Sequence, residues 1–133
     1  MSGIMTIGRL ARECEVPVST IRYWERAGLI TPDERTRSNY RVYADEAVAR
    51  VRLIRVSQSL GFTVADIGTL LRLLDVRVHQ CTAVRSVIDR RLEALNREMA
   101  DLREHQRKLC SIRRLCERPD LADRCRALDK LNP

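Results

Sequence analysis

Apolar positions repeat along the chain with a rhythm that changes near residue 80. From there on, Cys81, Ile88, Leu95, Leu102, Leu109 and Cys116 follow one another at a strict seven-residue interval, and Val84, Leu92 and Met99 add a second, less regular row. No glycine or proline occurs between Gly68 and Pro119, so local chemistry offers nothing to stop a long helix. A sustained heptad seam of this kind predicts a coiled coil. Both ends of the seam are cysteines. At about 1.5 Å per residue, the path from Cys81 to Cys116 spans roughly 50 Å of straight helix, and the two thiols of one chain stay apart. An antiparallel second copy brings Cys81 of one chain near Cys116 of the other. Cys125 lies nine residues past Cys116, beyond Pro119, and is able to fold back to the same place. The pattern predicts a homodimer with two identical three-thiol sites, each built from both chains.

Ahead of the seam the apolar spacing is that of short helices. Residues 1–4 read as a leader before Met5. Thr6 is an N-cap, and Ile7, Leu10 and Ala11 form the stripe of a first helix ending near Glu13. Cys14 to Pro17 is a turn, because a residue before proline is held extended. Ser19 is expected to cap a second helix, from Thr20 to Ala27, with Ile21 and Trp24 inward and Arg22, Tyr23 and Arg26 outward; Gly28 ends it. Two short helices joined by a tight turn have the form of a helix-turn-helix, although ordinary helical hairpins share it. Leu29 to Thr31 and Tyr40 to Tyr43 are β-prone runs flanking a polar connection. They predict a two-stranded wing carrying Arg35, Arg37, Tyr40, Arg41 and Tyr43, whose arginines and tyrosine hydroxyls suit phosphate; a solvated hairpin is the alternative.

Asp45 is expected to start a third helix, with Val48, Val51, Leu53, Ile54 and Val56 apolar and Gly61 closing it. Thr63 caps a fourth, in a capping-box variant with Asp66. Ile67, Leu70, Leu71, Leu73 and Leu74 make that helix a core element. A last turn or helix after Pro119 places Leu121, Cys125 and Leu128 on one face.

Composition narrows the chemistry. Lys and Arg together number 25 against 18 Asp and Glu, a net charge of +7. Only Lys108 and Lys130 are lysines. Such a charge favours a polyanion, nucleic acid first, although a GC-rich genome also yields arginine. No signal peptide and no apolar run long enough to span a membrane is present, which implies a cytoplasmic protein. Five cysteines without a secretion signal point to thiol chemistry or metal rather than a disulfide framework. A Gly-rich phosphate loop, paired catalytic carboxylates and a Ser/His/Asp constellation are all absent from the sequence, which argues against an enzyme.

The segments Thr6-Ile7-Gly8-Arg9-Leu10-Ala11, Thr20 to Ile30, Asn39-Tyr40-Arg41-Val42-Tyr43 and Leu60-Gly61-Phe62-Thr63 together resemble the MerR family of bacterial transcriptional regulators. The resemblance implies a mostly α-helical chain. Residues 5–75 would form a winged helix-turn-helix DNA-binding domain. Residues 80–116 would form an antiparallel coiled-coil dimerisation helix, and residues 116–133 a short metal-binding loop with a C-terminal helix. It also implies a dimer on promoter DNA that distorts the duplex for RNA polymerase when an effector binds. By the same resemblance Ser19, Thr20, Arg22 and Tyr23 meet the major groove or its backbone. Arg35, Arg37, Asn39, Tyr40, Arg41 and Tyr43 would grip flanking phosphates.

Cys81, Cys116 and Cys125 match the layout of the family's metal sensors, in which one cysteine opens the dimerisation helix and two bracket the C-terminal loop. Sensors of monovalent copper-type ions lack the first of these, so the resemblance points to a divalent ion. Three thiolates without a loop histidine make a soft site, whereas zinc prefers a fourth ligand. The expected order is mercury(II), then lead(II) or cadmium(II), then zinc(II). His79 could contribute, and Asp120 or Asp123 could add an oxygen that suits a harder ion. Two further readings stay open: buried apolar roles for the three cysteines, and oxidation sensing through Cys116 and Cys125. An organic-ligand sensor is disfavoured, because by the same resemblance such sensors usually carry a large C-terminal domain. Cys14 and Cys110 match no ligand position and read as structural.

Overall fold

The structure is a computed structural model that describes residues 4–32, 34–39, 41–76, 80–117 and 125–132. It divides into two compact units, Met1–Asp89 and Arg90–Pro133.

In the first unit, Thr6 is extended and its hydroxyl accepts the Arg9 N–H at 3.3 Å, which opens helix α1 (Ile7–Cys14). Glu15 closes it in the left-handed region at φ 55°, and the Arg55 guanidinium donates to the Cys14 carbonyl at 2.6 Å. That contact places a cation on the negative end of the helix dipole. Helix α2 (Val18–Arg26) starts earlier than the sequence predicts. Ser19 is not its cap: Pro17 is the N-cap residue, and its carbonyl accepts the Thr20 and Ile21 N–H groups at 3.0 and 3.4 Å. The ring holds Pro17 at φ −63°, already suited to helix entry, so the helix needs no side-chain cap there. Gly28, at φ 75°, turns the chain out of α2.

The expected strand at Leu29 to Thr31 does not form. Leu29 and Ile30 are both buried in the core. A strand would send consecutive side chains to opposite faces and expose one of them. The sheet is instead β1 (Met5–Thr6), β2 (Glu34–Arg35) and β3 (Arg41–Tyr43), antiparallel in the order β1-β3-β2. Met5 pairs with Tyr43, and Arg35 with Arg41. Met5, which follows the stretch read as a leader, is a buried strand residue.

Helices α3 (Glu46–Ser59) and α4 (Val64–Asp75) complete the unit, and Thr63 caps α4 by accepting the Asp66 N–H at 3.1 Å. Leu10, Ile21, Trp24, Val51, Ile54, Ile67 and Leu71 form the heart of its core. Val56 and Leu74, expected inside, are exposed. Val56 lies two positions from buried Ile54, a step of about 200° that carries a side chain to the opposite face of a helix.

Helix α5 (Gln80–Arg114) is unbroken, as the lack of glycine and proline predicts, and the second unit begins within it. Along its seam Leu102 is 65% and Leu109 62% exposed, and Cys81 and Cys116 are exposed as well. The C-terminal helix α6 (Arg126–Leu131) has Cys125 as its N-cap residue. Among the described residues of this segment Ala127 is buried and Leu128 is exposed. Residues 118–124, with Pro119, Asp120, Leu121 and Asp123, lie outside the described residues, as do Tyr40 and His79.

Ile21 is fully buried and Tyr23 half exposed on the same helix. Ile21→Ala should lower unfolding stability by about 2–5 kcal/mol, and Tyr23→Ala by about 0.5 kcal/mol or less. Chemical denaturation followed by circular dichroism measures both.

Candidate nucleic-acid interface and thiol positions

Helix α2 presents two faces. Ile21 and Trp24 are in the core, while Ser19, Arg22, Tyr23 and Arg26 are exposed and Thr20 is half-buried. Arg22, Arg26 and Arg37 have no ion-pair partner among the described residues. Such cations on an outer helix face and a wing tip are free to meet phosphate. Arg26 belongs with this group, although only its outward orientation was legible from the sequence.

The wing is not arranged as the sequence suggests. Tyr43 is no surface hydroxyl: it is 3% exposed, part of the core, and its Oη–H donates to Glu25 Oε1. Arg41 is half-buried, with its Nε donating to Glu25 Oε2 at 2.9 Å. Both are turned towards Glu25 for the same reason. Arg41 and Tyr43 alternate to one side of β3, and that side faces α2. Arg35 donates through one terminal nitrogen to the Asn39 carbonyl and side-chain oxygens, each at 3.3 Å. It therefore braces the wing turn, where Asn39 stands at φ 65°. Arg35 and Arg37 are both exposed cations of the described wing tip.

Glu25 was not singled out from the sequence. A faint signal was there: it lies one helical turn from buried Ile21, on the edge of the inward face. What cannot be read locally is that the wing strand supplies its partners.

Burial first, then the bond to Glu25 and its charge, hold the Tyr43 hydroxyl protonated and push its pKa well above the ordinary tyrosine value. Unfolded tyrosine ionises near about pH 10. The stabilisation from Tyr43 is therefore complete below that pH and is lost as pH rises above it towards the folded value.

The cysteines fall into two groups. Cys14 is buried, and burial pushes its thiol up against the opposing influence of Arg52; it belongs to the core. Cys81, Cys116 and Cys125 are free and exposed, and Cys110 is intermediate. Cys81 stands in the first turn of α5, Cys116 two residues past its last, and Cys125 at the start of α6. Among the described residues of one chain, no three Cys, His, Asp or Glu side chains gather as a metal site.

A helix-turn-helix with a winged sheet, joined in one chain to a long helix, defines a DNA-binding transcriptional regulator. Comparison with known proteins fixes the family. Residues 5–74 match the MerR HTH family regulatory protein profile, and residues 48–112 match the profile described as MerR, DNA binding. The chain belongs to the MerR family, one of regulators rather than enzymes. It is 37% identical over 110 residues to the mercuric resistance operon regulatory protein of Bacillus cereus, covering 83% of each chain. It is 35% identical over 119 residues to heavy metal-dependent transcription regulator 2 of Rhizobium meliloti, covering 90% of this chain and 81% of the relative. Among solved structures, the transcription regulator PbrR691 from Ralstonia metallidurans in complex with lead(II) superimposes with a TM-score of 0.82 at 29% identity. That match covers 96% of this chain and 98% of the other. Among the described residues no helix is long and apolar enough to cross a membrane.

Above about pH 10 the wild-type protein should lose stability more steeply than Tyr43→Phe, which has no hydroxyl to ionise. Urea midpoints across the alkaline range read the difference.

Proposed function

We propose that the protein is a metal-responsive regulator that binds promoter DNA as a homodimer in the cytoplasm. On binding a thiophilic divalent ion it distorts the duplex for RNA polymerase. The ion sits at Cys81 of one protomer and Cys116 and Cys125 of the other. The residues divide as 5–75 for DNA, 80–116 for dimerisation and 116–133 for the loop and helix that complete the metal site. The observation that carries the proposal is the position of the three exposed free thiols at the ends of the α5 seam and the start of α6. The donor set fits the ion: three thiolates form a soft site suited to mercury(II) first, then lead(II) or cadmium(II), with zinc(II) less well satisfied. The mercuric, heavy-metal and lead(II)-bound relatives support this class of ion. When bound, the ion supplies a link between two chains that thiolates alone cannot make. Cys14 takes no part, because it is buried in the core.

On DNA, Arg22, Tyr23 and Arg26 of α2, with Ser19 and Thr20 at its start, meet the major groove and its backbone. Arg37 holds a flanking phosphate from the wing. Arg35 and Asn39 shape that wing tip, and Tyr40 adjoins it in sequence.

Reduced dimer titrated with mercury(II), lead(II), cadmium(II) and zinc(II) should take up two ions per dimer with thiolate-to-metal ultraviolet absorption. Cys81→Ser should weaken the uptake by tenfold or more, on the order of a lost ligand. The rank of affinities names the ion. Absence of tight uptake by any of the four would overturn the metal reading and leave oxidation of Cys116 and Cys125 as the regulatory chemistry.

Arg22→Ala and Arg37→Ala should each weaken binding to all duplexes alike. Each should also reduce the dependence of log affinity on log salt by about one. Fluorescence anisotropy at several salt concentrations makes the measurement.

A further inference from the structure

Glu25 lies on α2, but among the described residues its carboxylate binds the wing alone. Its carboxylate receives the Tyr43 hydroxyl on Oε1 and the Arg41 Nε–H on Oε2, and its side chain is only 11% exposed. Both partners belong to β3, the middle strand of the sheet, two residues apart and on one face. The carboxylate thus holds two points on a strand, which constrains rotation as well as distance. No other ion pair among the described residues joins α2 to the sheet.

We propose that Glu25 is the positioning residue of the DNA-binding surface: it clamps the wing to the recognition helix, so that Arg37 and the α2 side chains reach the duplex at a fixed separation. The clamp also engages the Arg41 Nε–H, which fixes how that guanidinium is held on the wing. This rests on the DNA-binding role proposed above and adds the device that sets its geometry.

Electrostatics alone makes the opposite demand. A carboxylate next to a polyanion repels it, and removing one should raise affinity for every duplex. A positioning role should instead lower affinity where both contact regions must fit together. That case is specific binding, since fixed geometry is what register on a chosen sequence requires.

The test uses full-length dimer. Glu25→Gln, Arg41→Gln and the double variant are measured against two probes: a duplex that wild type enriches from a random pool, and an unenriched duplex of equal length. Glu25→Gln should lose about tenfold on the enriched duplex, the size of one charged hydrogen bond, with unenriched binding unchanged or tighter. Arg41→Gln should do the same, and the double variant should be no worse than either single one, because all three break one clamp. If Arg41 instead grips phosphate, Arg41→Gln will weaken both probes equally and lower the salt slope, while Glu25→Gln tightens both. That result overturns the proposal, as does an unchanged ratio between probes in Glu25→Gln.

A second readout needs no DNA. In wild type the Arg41 Nε–H should give a protected nuclear magnetic resonance signal. Glu25→Gln should abolish that signal and speed amide exchange in β2 and β3 but not in α1 or α3. Unchanged wing exchange overturns the clamp whatever the DNA data show. Failure of wild type to enrich any duplex, with the exchange effect present, defeats the DNA-binding role and leaves the clamp standing.

Discussion

The constraint on which the second half of the chain depends is the apolar row along α5. Leu102 and Leu109 are each more than three-fifths exposed, and Ile88, Leu92 and Met99 are close to half exposed. Burying a leucine is worth about 1.5–3 kcal/mol, so a row of this length is a strong demand for cover. A helix without a break keeps its ends apart, and that same rigidity makes the cover informative. In the antiparallel dimer proposed here, the partner that covers the seam also brings the first-turn thiol to the other chain's last. Assembly and sensing would then be one equilibrium: an ion held by both chains stabilises the dimer by mass action, and the dimer creates the site that holds the ion.

The DNA-binding unit depends on a different kind of constraint. Its core is continuous through Leu10, Ile21, Trp24, Val51, Ile54, Ile67 and Leu71, and such a core fixes helices against one another. The wing is a short sheet with few side chains to bury. Tyr43 anchors it from below through the core, and Glu25 ties it sideways to α2. Two residues on one strand face thus do for the wing what a hydrophobic layer does for the helices.

What was legible in the sequence was what is locally determined. Thr6 and Thr63 cap as expected because a hydroxyl and an N–H three residues on are enough. Gly28 ends α2 because only glycine adopts its conformation freely. Ile21 and Trp24 face inward on helical spacing, and the long helix follows from absent breakers. The misreadings arise where tertiary contact overrides local preference. Leu29 and Ile30 look like a strand and are consumed by the core. Ser19 looks like a cap, but proline before it already starts the helix. Tyr43 and Arg41 look like surface groups of a wing, and they are claimed by Glu25, 18 and 16 positions away in sequence. A single sequence carries no local sign of such a partnership. Of the candidate thiols, Cys14 was correctly set apart as structural. For Cys81, Cys116 and Cys125 the sequence showed spacing, and exposure is what the structure adds.

The net charge of +7 would suggest a uniformly attractive surface, but charge matters here by place. Arg9 is paired with Glu13, Arg50 with Asp75, Arg107 and Lys108 with Glu104, and Arg41 with Glu25. The first three sets join exposed or half-buried groups on the surface, where pairs contribute little to stability. The last is half-buried and shared with a tyrosine, and it sits among the exposed arginines that face outward from α2. A protein selected only for attraction to a polyanion would have no reason to keep a carboxylate there. Its presence makes sense if the position of the wing matters more than one further unit of positive charge. Sequence-specific recognition imposes that preference, because affinity for phosphate is plentiful and register is not.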